Sequence, residues 1–190
     1  MFAELVGQPG VEEHVVLGSR IGFLALHGGL EPGTAELARA AAGRSGASLY
    51  SVVQPDSLKW HVPSNEVVPL DVPALARFLA HVDVVVSLHG YWRADRPTAL
   101  LVGGANRVRA ADLATRLRAA LPDYEVVDDL AFIPPDLRGM HPANPVNLTR
   151  GGGVQLELPH PVRSIGPYRD ERYQRHTRAL VDTLAAYAAA

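Results

Sequence analysis

The chain has 190 residues, 47% of them hydrophobic, no cysteine, and a formal net charge of −2. A chain of that length buries roughly 70% of its unfolded surface, so residues 1–190 are read as one domain that needs no staple. Without cysteine there is no disulfide, thiolate-bound metal or cysteine nucleophile, and the small negative charge argues against a nucleic-acid partner. No stretch approaches the roughly eighteen uninterrupted apolar residues of a membrane span. Met1 to Gln8 has neither the basic nor the apolar region of an export signal. The expectation is a cytoplasmic protein with no membrane partner. Lys59 is the sole lysine, so basic charge rests almost wholly on arginine.

Taken in order, Val11 to Leu17 holds a short apolar run that predicts a first, edge-type strand. Ile21 to Leu26 is a buried strand that ends at His27, followed by Gly28, Gly29, Leu30 and Glu31. Thr34 is a suitable helix N-cap with Glu36 in the first turn. Leu37, Ala38 and Ala41 give that helix an apolar side, and Gly43 suits its end. Ser48 to Val53 is aromatic and β-branched enough for the next strand. Gln54 to Pro69 is rich in turn formers, and Asp71 with Pro73 opens a helix through Leu75, Phe78 and Leu79. Val82 to Leu88 is a strand apolar on both faces that again ends at a histidine, His89. Ala99 to Val102 is a further strand, and Val108 to Leu121 an amphipathic helix with Leu113, Leu117 and Leu121 on one face. After a short strand at Tyr124 to Val127, Asp128 to Arg150 reads as a long proline-rich loop, a length that is usually functional or disordered. Val154 to Leu158 is a strand with Glu157 inside it, and Arg172 to Ala189 a closing helix. Strands alternate with helices, so the fold class is α/β, a three-layer sandwich on a mixed, mostly parallel sheet.

The candidate chemistry lies at the ends of these strands, where open α/β sheets place their sites. His27 and His89 both follow apolar runs, and Glu31 stands on a loop of small residues beside the first. Two imidazoles and a carboxylate would give zinc three ligands and leave a fourth position for water. A carboxylate inside an apolar strand is costly without a partner or a purpose; Glu157 is therefore a candidate general base acting on that water. The glycines after Leu26 invite comparison with a phosphate cradle, yet no Gly-Lys-Ser/Thr follows and a carboxylate stands where an anion would sit.

The segments Leu26-His27-Gly28-Gly29-Leu30-Glu31-Pro32-Gly33-Thr34-Ala35-Glu36, Ser87-Leu88-His89-Gly90 and Gly152-Gly153-Val154-Gln155-Leu156-Glu157-Leu158 resemble the signature blocks of the poly-γ-glutamate hydrolase family. The resemblance runs from about Gly18 to Arg163 and includes Leu58 to His61, Leu101 to Gly104 and Asn144 to Asn147. It implies a zinc carboxypeptidase-like fold and hydrolysis of γ-glutamyl amide bonds in a small or polymeric substrate. Carried over by position, His27, Glu31 and His89 become the zinc ligands and Glu157 the base. Carboxypeptidases use an H-x-x-E spacing, whereas three residues separate His27 from Glu31, so Glu36 stands as a rival ligand.

A γ-glutamyl substrate presents a free carboxylate, which asks for arginine forks or amide donors. Arg107, Arg150, Arg163 and Asn147 are the candidates, with Arg93 and Arg96 as further arginines near His89 and His61 as a residue lining the cleft. Two other readings stand beside the lead: a zinc amidohydrolase removing an acyl group from an acidic amino acid, and a non-catalytic zinc-dependent binding domain. The oligomeric state is left open by the sequence.

Overall fold

The computed structural model describes all residues from Met1 to Ala190. Seven strands form one sheet: β1 (Glu12–Val16), β2 (Ile21–Gly28), β3 (Ser48–Val53), β4 (Val84–Gly90), β5 (Ala99–Gly103), β6 (Glu125–Val127) and β7 (Gly153–Leu158). Their spatial order is β1-β3-β2-β4-β7-β5-β6. The pairs β3–β2, β2–β4, β4–β7 and β5–β6 are parallel, whereas β1–β3 and β7–β5 are antiparallel. The sheet is mixed and mostly parallel, as the alternation of elements predicts.

Helices α2 (Thr34–Ser45), α4 (Arg107–Ala120) and α5 (Gln174–Ala188) cover one face. Their apolar stripes, including Leu37, Leu113, Leu117, Leu180 and Leu184, meet Phe23, Ala25, Val86, Leu88, Val154 and Leu156 in the larger core. A short α1 (Phe2–Val6) and α3 (Pro73–His81) lie on the opposite face, where Phe2, Leu5, Leu75 and Phe78 pack on Leu24, Leu26, Tyr50 and Val85. Towards β6 that second face is closed by the long loop instead, with Ile133 packed against Leu101 and Val127. These are the three layers of an α/β sandwich.

Several ends differ from the sequence reading, each for a local reason. The N-cap of α2 is Gly33 in the left-handed region (φ 88°), and Thr34 is the first helical residue. Thr34 uses its hydroxyl to donate to the Glu31 carbonyl at 2.8 Å, which ties the helix start to the preceding loop. The helix ends at Gly46 (φ 71°), three residues beyond Gly43, because Gly46 can take the left-handed C-cap. Val72 precedes α3 without a side-chain cap. Asp170 caps a 3-10 turn at Glu171–Tyr173, which displaces the start of α5 to Gln174. The loop from Asp128 to Arg150 is ordered into 3-10 turns at Pro135–Leu137 and Pro145–Asn147. No helix is long and apolar enough to cross a membrane.

From β2 the chain passes through α2 to β3 on one side, then returns through α3 to β4 on the other. The two crossovers use opposite faces of the sheet, so β2 and β4 flank a switch point at their carboxyl ends, the place where such sheets leave a crevice.

Candidate metal centre

His27 is the penultimate residue of β2 and His89 the penultimate residue of β4, so both imidazoles stand at the switch point. Simple alternation from Phe23 and Ala25 would direct His27 under α2. The β2–β3 register shifts between Ala25 and Gly28, the kind of irregularity that re-aims a side chain. The His27 ring instead lies 4.7 Å from that of His61 and 5.0 Å from that of His89.

Glu31 is brought beneath both rings by a tight loop in which the Glu31 N–H donates to the His27 carbonyl at 2.8 Å. Two glycines make the loop feasible. Gly29 (φ 79°) passes so close to Gln54 that a Cβ would stand 2.1 Å from its carbonyl oxygen, and Gly33 (φ 88°) bears the same relation to Arg163. Glu31 Oε1 lies 2.9 Å from His27 Nδ1; Oε2 lies 3.5 Å from His89 Nδ1 and accepts the Gly90 N–H at 2.9 Å. Burial opposes charge on Glu31 and on His27, yet their mutual attraction outweighs it. The carboxyl is held far below the usual carboxylate range, with His89 contributing, and the His27 imidazole is held above its ordinary value.

The outer nitrogens are fixed as well. His27 Nε2 lies 2.9 Å from the Val62 carbonyl, which can only accept, so that nitrogen carries a proton and Nδ1 is directed at Glu31. His89 Nε2 is 2.9 Å from Ser87 Oγ, which orients its Nδ1 the same way. Oriented rings with their second nitrogen engaged are the usual support of metal-binding histidines. One donor atom from each of His27, Glu31 and His89 lies within 4.8 Å of the others. Glu36 is not part of this group: its side chain packs beside Gly166, and Oε2 is buried there without a partner.

Glu157 pairs in register with His89 on the neighbouring strand, and on its other side with Leu101 of β5. Adjacent strands are ~4.8 Å apart, so the carboxyl and the imidazole share one wall. Glu157 is 4% exposed. Burial pushes its carboxyl well above the ordinary range, the charge on Glu31 adds to this, and a 2.8 Å hydrogen bond from Gln155 Nε2 to Oε1 opposes it. A cavity of about 580 Å³ opens over these four residues, walled by His61 to Asn65 on one side and by Pro135 to Asn144 of the long loop on the other.

The other residues singled out in the sequence divide sharply. His61 lines the cavity, its imidazole pushed below its usual pKa by burial and then by His27. Arg107, Arg150, Arg163 and Asn147 do not line it. Arg107 donates to the carbonyls of Val102, Gly104 and Asp128, fastening the start of α4. Arg150 is exposed beside Gly151, whose N–H donates to Asp83 just before β4, at the sheet end opposite His89. Arg163 is buried; it donates to the Leu158 carbonyl at 3.0 Å and to that of Pro32, bracing the Glu31 loop from behind. Asn147 donates to the carbonyls of Gly139 and His141 and accepts from Ala105, so it staples the long loop. Arg93 comes nearer, paired at 3.0 Å with Asp136 of the cavity wall. No lysine or arginine lines the cavity; its cation-capable groups are histidines, among them His141, which was not singled out in the sequence.

With this geometry in view, a sequence model of the family described as poly-gamma-glutamate hydrolase matches residues 3–190. The chain belongs to that family. It is 33% identical over 150 residues to the UPF0714 protein YndL of Bacillus subtilis (strain 168), an alignment covering 74% of this chain and 54% of YndL. A prophage-derived UPF0714 protein of the same strain, YoqZ, is 32% identical over 142 residues, covering 73% and 48%. The chain thus spans about half the length of the curated relatives it matches. Among solved structures, zinc-free apo YndL superposes with a TM-score of 0.75 at 28% identity, covering 92% of this chain and 89% of the other. A bacteriophage poly-gamma-glutamate hydrolase gives 0.71 at 23% identity, covering 94% and 89%. A metallo-carboxypeptidase from Burkholderia cenocepacia gives 0.50 at 12% identity, covering 99% and 66%. The fold is carboxypeptidase-like.

Proposed function

We propose that this member of the poly-gamma-glutamate hydrolase family is a zinc-dependent hydrolase of γ-glutamyl amide bonds. His27, Glu31 and His89 would hold the ion, and Glu157 would act as general base. The observation that carries the reading is the convergence of those three donors beside a buried carboxylate whose strand position is level with His89. Two imidazoles and a carboxylate suit zinc, and the chain has no cysteine to offer a thiolate. Zinc, when bound, supplies Lewis acidity towards the amide carbonyl and makes water more acidic.

The chain's own groups account for the proton movements. Glu157 Oε1 is engaged by Gln155, and Oε2 makes no hydrogen bond to the protein. Oε2 is therefore the atom that takes the proton from the attacking water and returns it to the leaving nitrogen. Arg163, buried behind Glu31 and Glu157, keeps a fixed positive charge near both carboxylates without reaching the cavity. The substrate carboxylate meets hydroxyl, amide and imidazole donors at Ser64, Asn65, His61 and His141, with Arg93 at the rim.

The test is incubation of zinc-loaded protein with poly-γ-glutamate, following chain length and newly freed amino groups, beside an N-acyl-glutamate. Shortening of the polymer is expected, and Glu157→Gln should lower kcat roughly 10²–10⁴-fold. Cleavage of the N-acyl-glutamate alone would replace the substrate assignment. Binding of the polymer without shortening it, or full activity in Glu157→Gln, would overturn the mechanism.

A further inference from the structure

Glu157 is not held by one neighbour alone; a chain of amides leads to it from the long loop. The Val146 N–H donates to Asn144 Oδ1 at 3.2 Å, Asn144 Nδ2 donates to Gln155 Oε1 at 3.0 Å, and Gln155 Nε2 donates to Glu157 Oε1 at 2.8 Å. Asn144, Gln155 and Glu157 are each 5% exposed or less. The polarity of the chain follows from its first member. A backbone N–H can only donate, so Asn144 must turn its carbonyl oxygen to Val146 and its NH₂ to Gln155. Gln155 must then receive on its oxygen and present its own NH₂ to Glu157. Neither amide is free to flip, because each would set two acceptors or two donors against each other in a buried place.

We propose that Asn144 and Gln155 are positioning residues that reserve Oε1 of Glu157 as an acceptor and leave Oε2 as the oxygen that carries the proton. The proposal rests on the reading of Glu157 as the general base. Its structural logic is that two strand residues, Gln155 and Glu157, share one face of β7. Asn144 reaches Gln155 from a loop that also forms the cavity wall. Gly139 makes that approach possible: a Cβ there would stand 2.5 Å from Gln155 Oε1.

Asn144→Asp is the discriminating variant. One aspartate oxygen still accepts from Val146, so the turn is kept, but the other cannot donate to Gln155. The Gln155 amide then reverses and offers its oxygen to Glu157. Zinc-loaded Asn144→Asp should show a fall in kcat of ~10-fold or more, with KM within about twofold and unchanged metal content. Gln155→Met, similar in length and without a donor, should show the same split between kcat and KM. A readout independent of turnover is the hydrogen exchange of the Gln155 side-chain amide, followed by NMR. Those protons should exchange slowly in the wild type, against the exposed Asn65 amide as reference. Rapid exchange of the Gln155 amide in the wild type, or unaltered kcat in both variants, would overturn the relay. Wild-type protein that cleaves no γ-glutamyl amide would instead remove the assigned activity, and the amide exchange would then decide whether the ordered chain of amides exists.

Discussion

Gly90→Ala combined with Arg163→Ala tests whether Arg163 is a structural brace or a substrate ligand. A Cβ at Gly90 would stand 2.7 Å from Cζ and Nη1 of Arg163 and 3.0 Å from Nε, where ordinary contact begins at 3.4 Å. The guanidinium cannot slide aside, because the carbonyls of Leu158 and Pro32 hold it and it is only 6% exposed. Overpacking of this kind costs ~1–3 kcal/mol, and a weakened charge-assisted hydrogen bond raises the cost of Gly90→Ala to ~2–4 kcal/mol. For a domain of this size each kcal/mol is ~2–4 °C in Tm, so a fall of roughly 5–15 °C is expected. Arg163→Ala alone should cost ~3–5 kcal/mol, since it leaves Glu31 and Glu157 without their buried cation. With the guanidinium gone, alanine at position 90 has nothing to strike, and the double variant should be little less stable than Arg163→Ala. Urea unfolding of the four proteins in the presence of a chelator should therefore give a coupling energy of ~1.5–3 kcal/mol. Additive costs within ~0.5 kcal/mol, or an Arg163→Ala protein of wild-type Tm with a raised KM, would refute the brace and restore Arg163 to the substrate.

The ligand assignment makes two further predictions. Zinc measured after gel filtration should be lost from His27→Ala, Glu31→Ala and His89→Ala and retained at wild-type stoichiometry in Glu36→Ala; retention in Glu31→Ala with loss in Glu36→Ala would exchange the two carboxylates. Ser87→Ala removes the hydroxyl that orients His89, and zinc affinity by competition with a chelator should weaken ~10–100-fold; an unchanged affinity would leave Ser87 with no part in the site.

How much of this was readable in the sequence depends on whether the information was local. The strand runs Ile21 to Leu26 and Val82 to Leu88 are apolar on both faces because each strand lies inside the sheet with helices above and below, so composition alone marks them as central. The place of β7 between β4 and β5 is not local. It follows from pairing across the whole chain, such as Val86 with Val154 and Val102 with Leu156, and no pattern within a single strand encodes it. Helix α1 carries no signal in the sequence because five residues form no stable helix of their own; it exists because Phe2 and Leu5 are buried against the core.

The same distinction divides the site. A histidine at the carboxyl end of a central strand emerges at that end of the sheet, so His27 and His89 are traceable to one neighbourhood, whereas the register shift that turns His27 away from α2 is not. Glu157 stands out as a carboxylate among apolar residues. An arginine carries no such constraint. Its five donors are satisfied by whichever carbonyl oxygens the folded chain leaves open, which is how Arg107 and Arg163 come to fasten backbone ends instead of facing the cavity. Gln155 is the signal that could have been found. It precedes Glu157 by two residues in a strand, hence on the same face, and a buried carboxylate in that setting asks for a donor. An amide two positions away is the nearest side chain able to supply one, whereas Asn144, its own partner, comes from a turn whose approach no spacing along β7 could have disclosed.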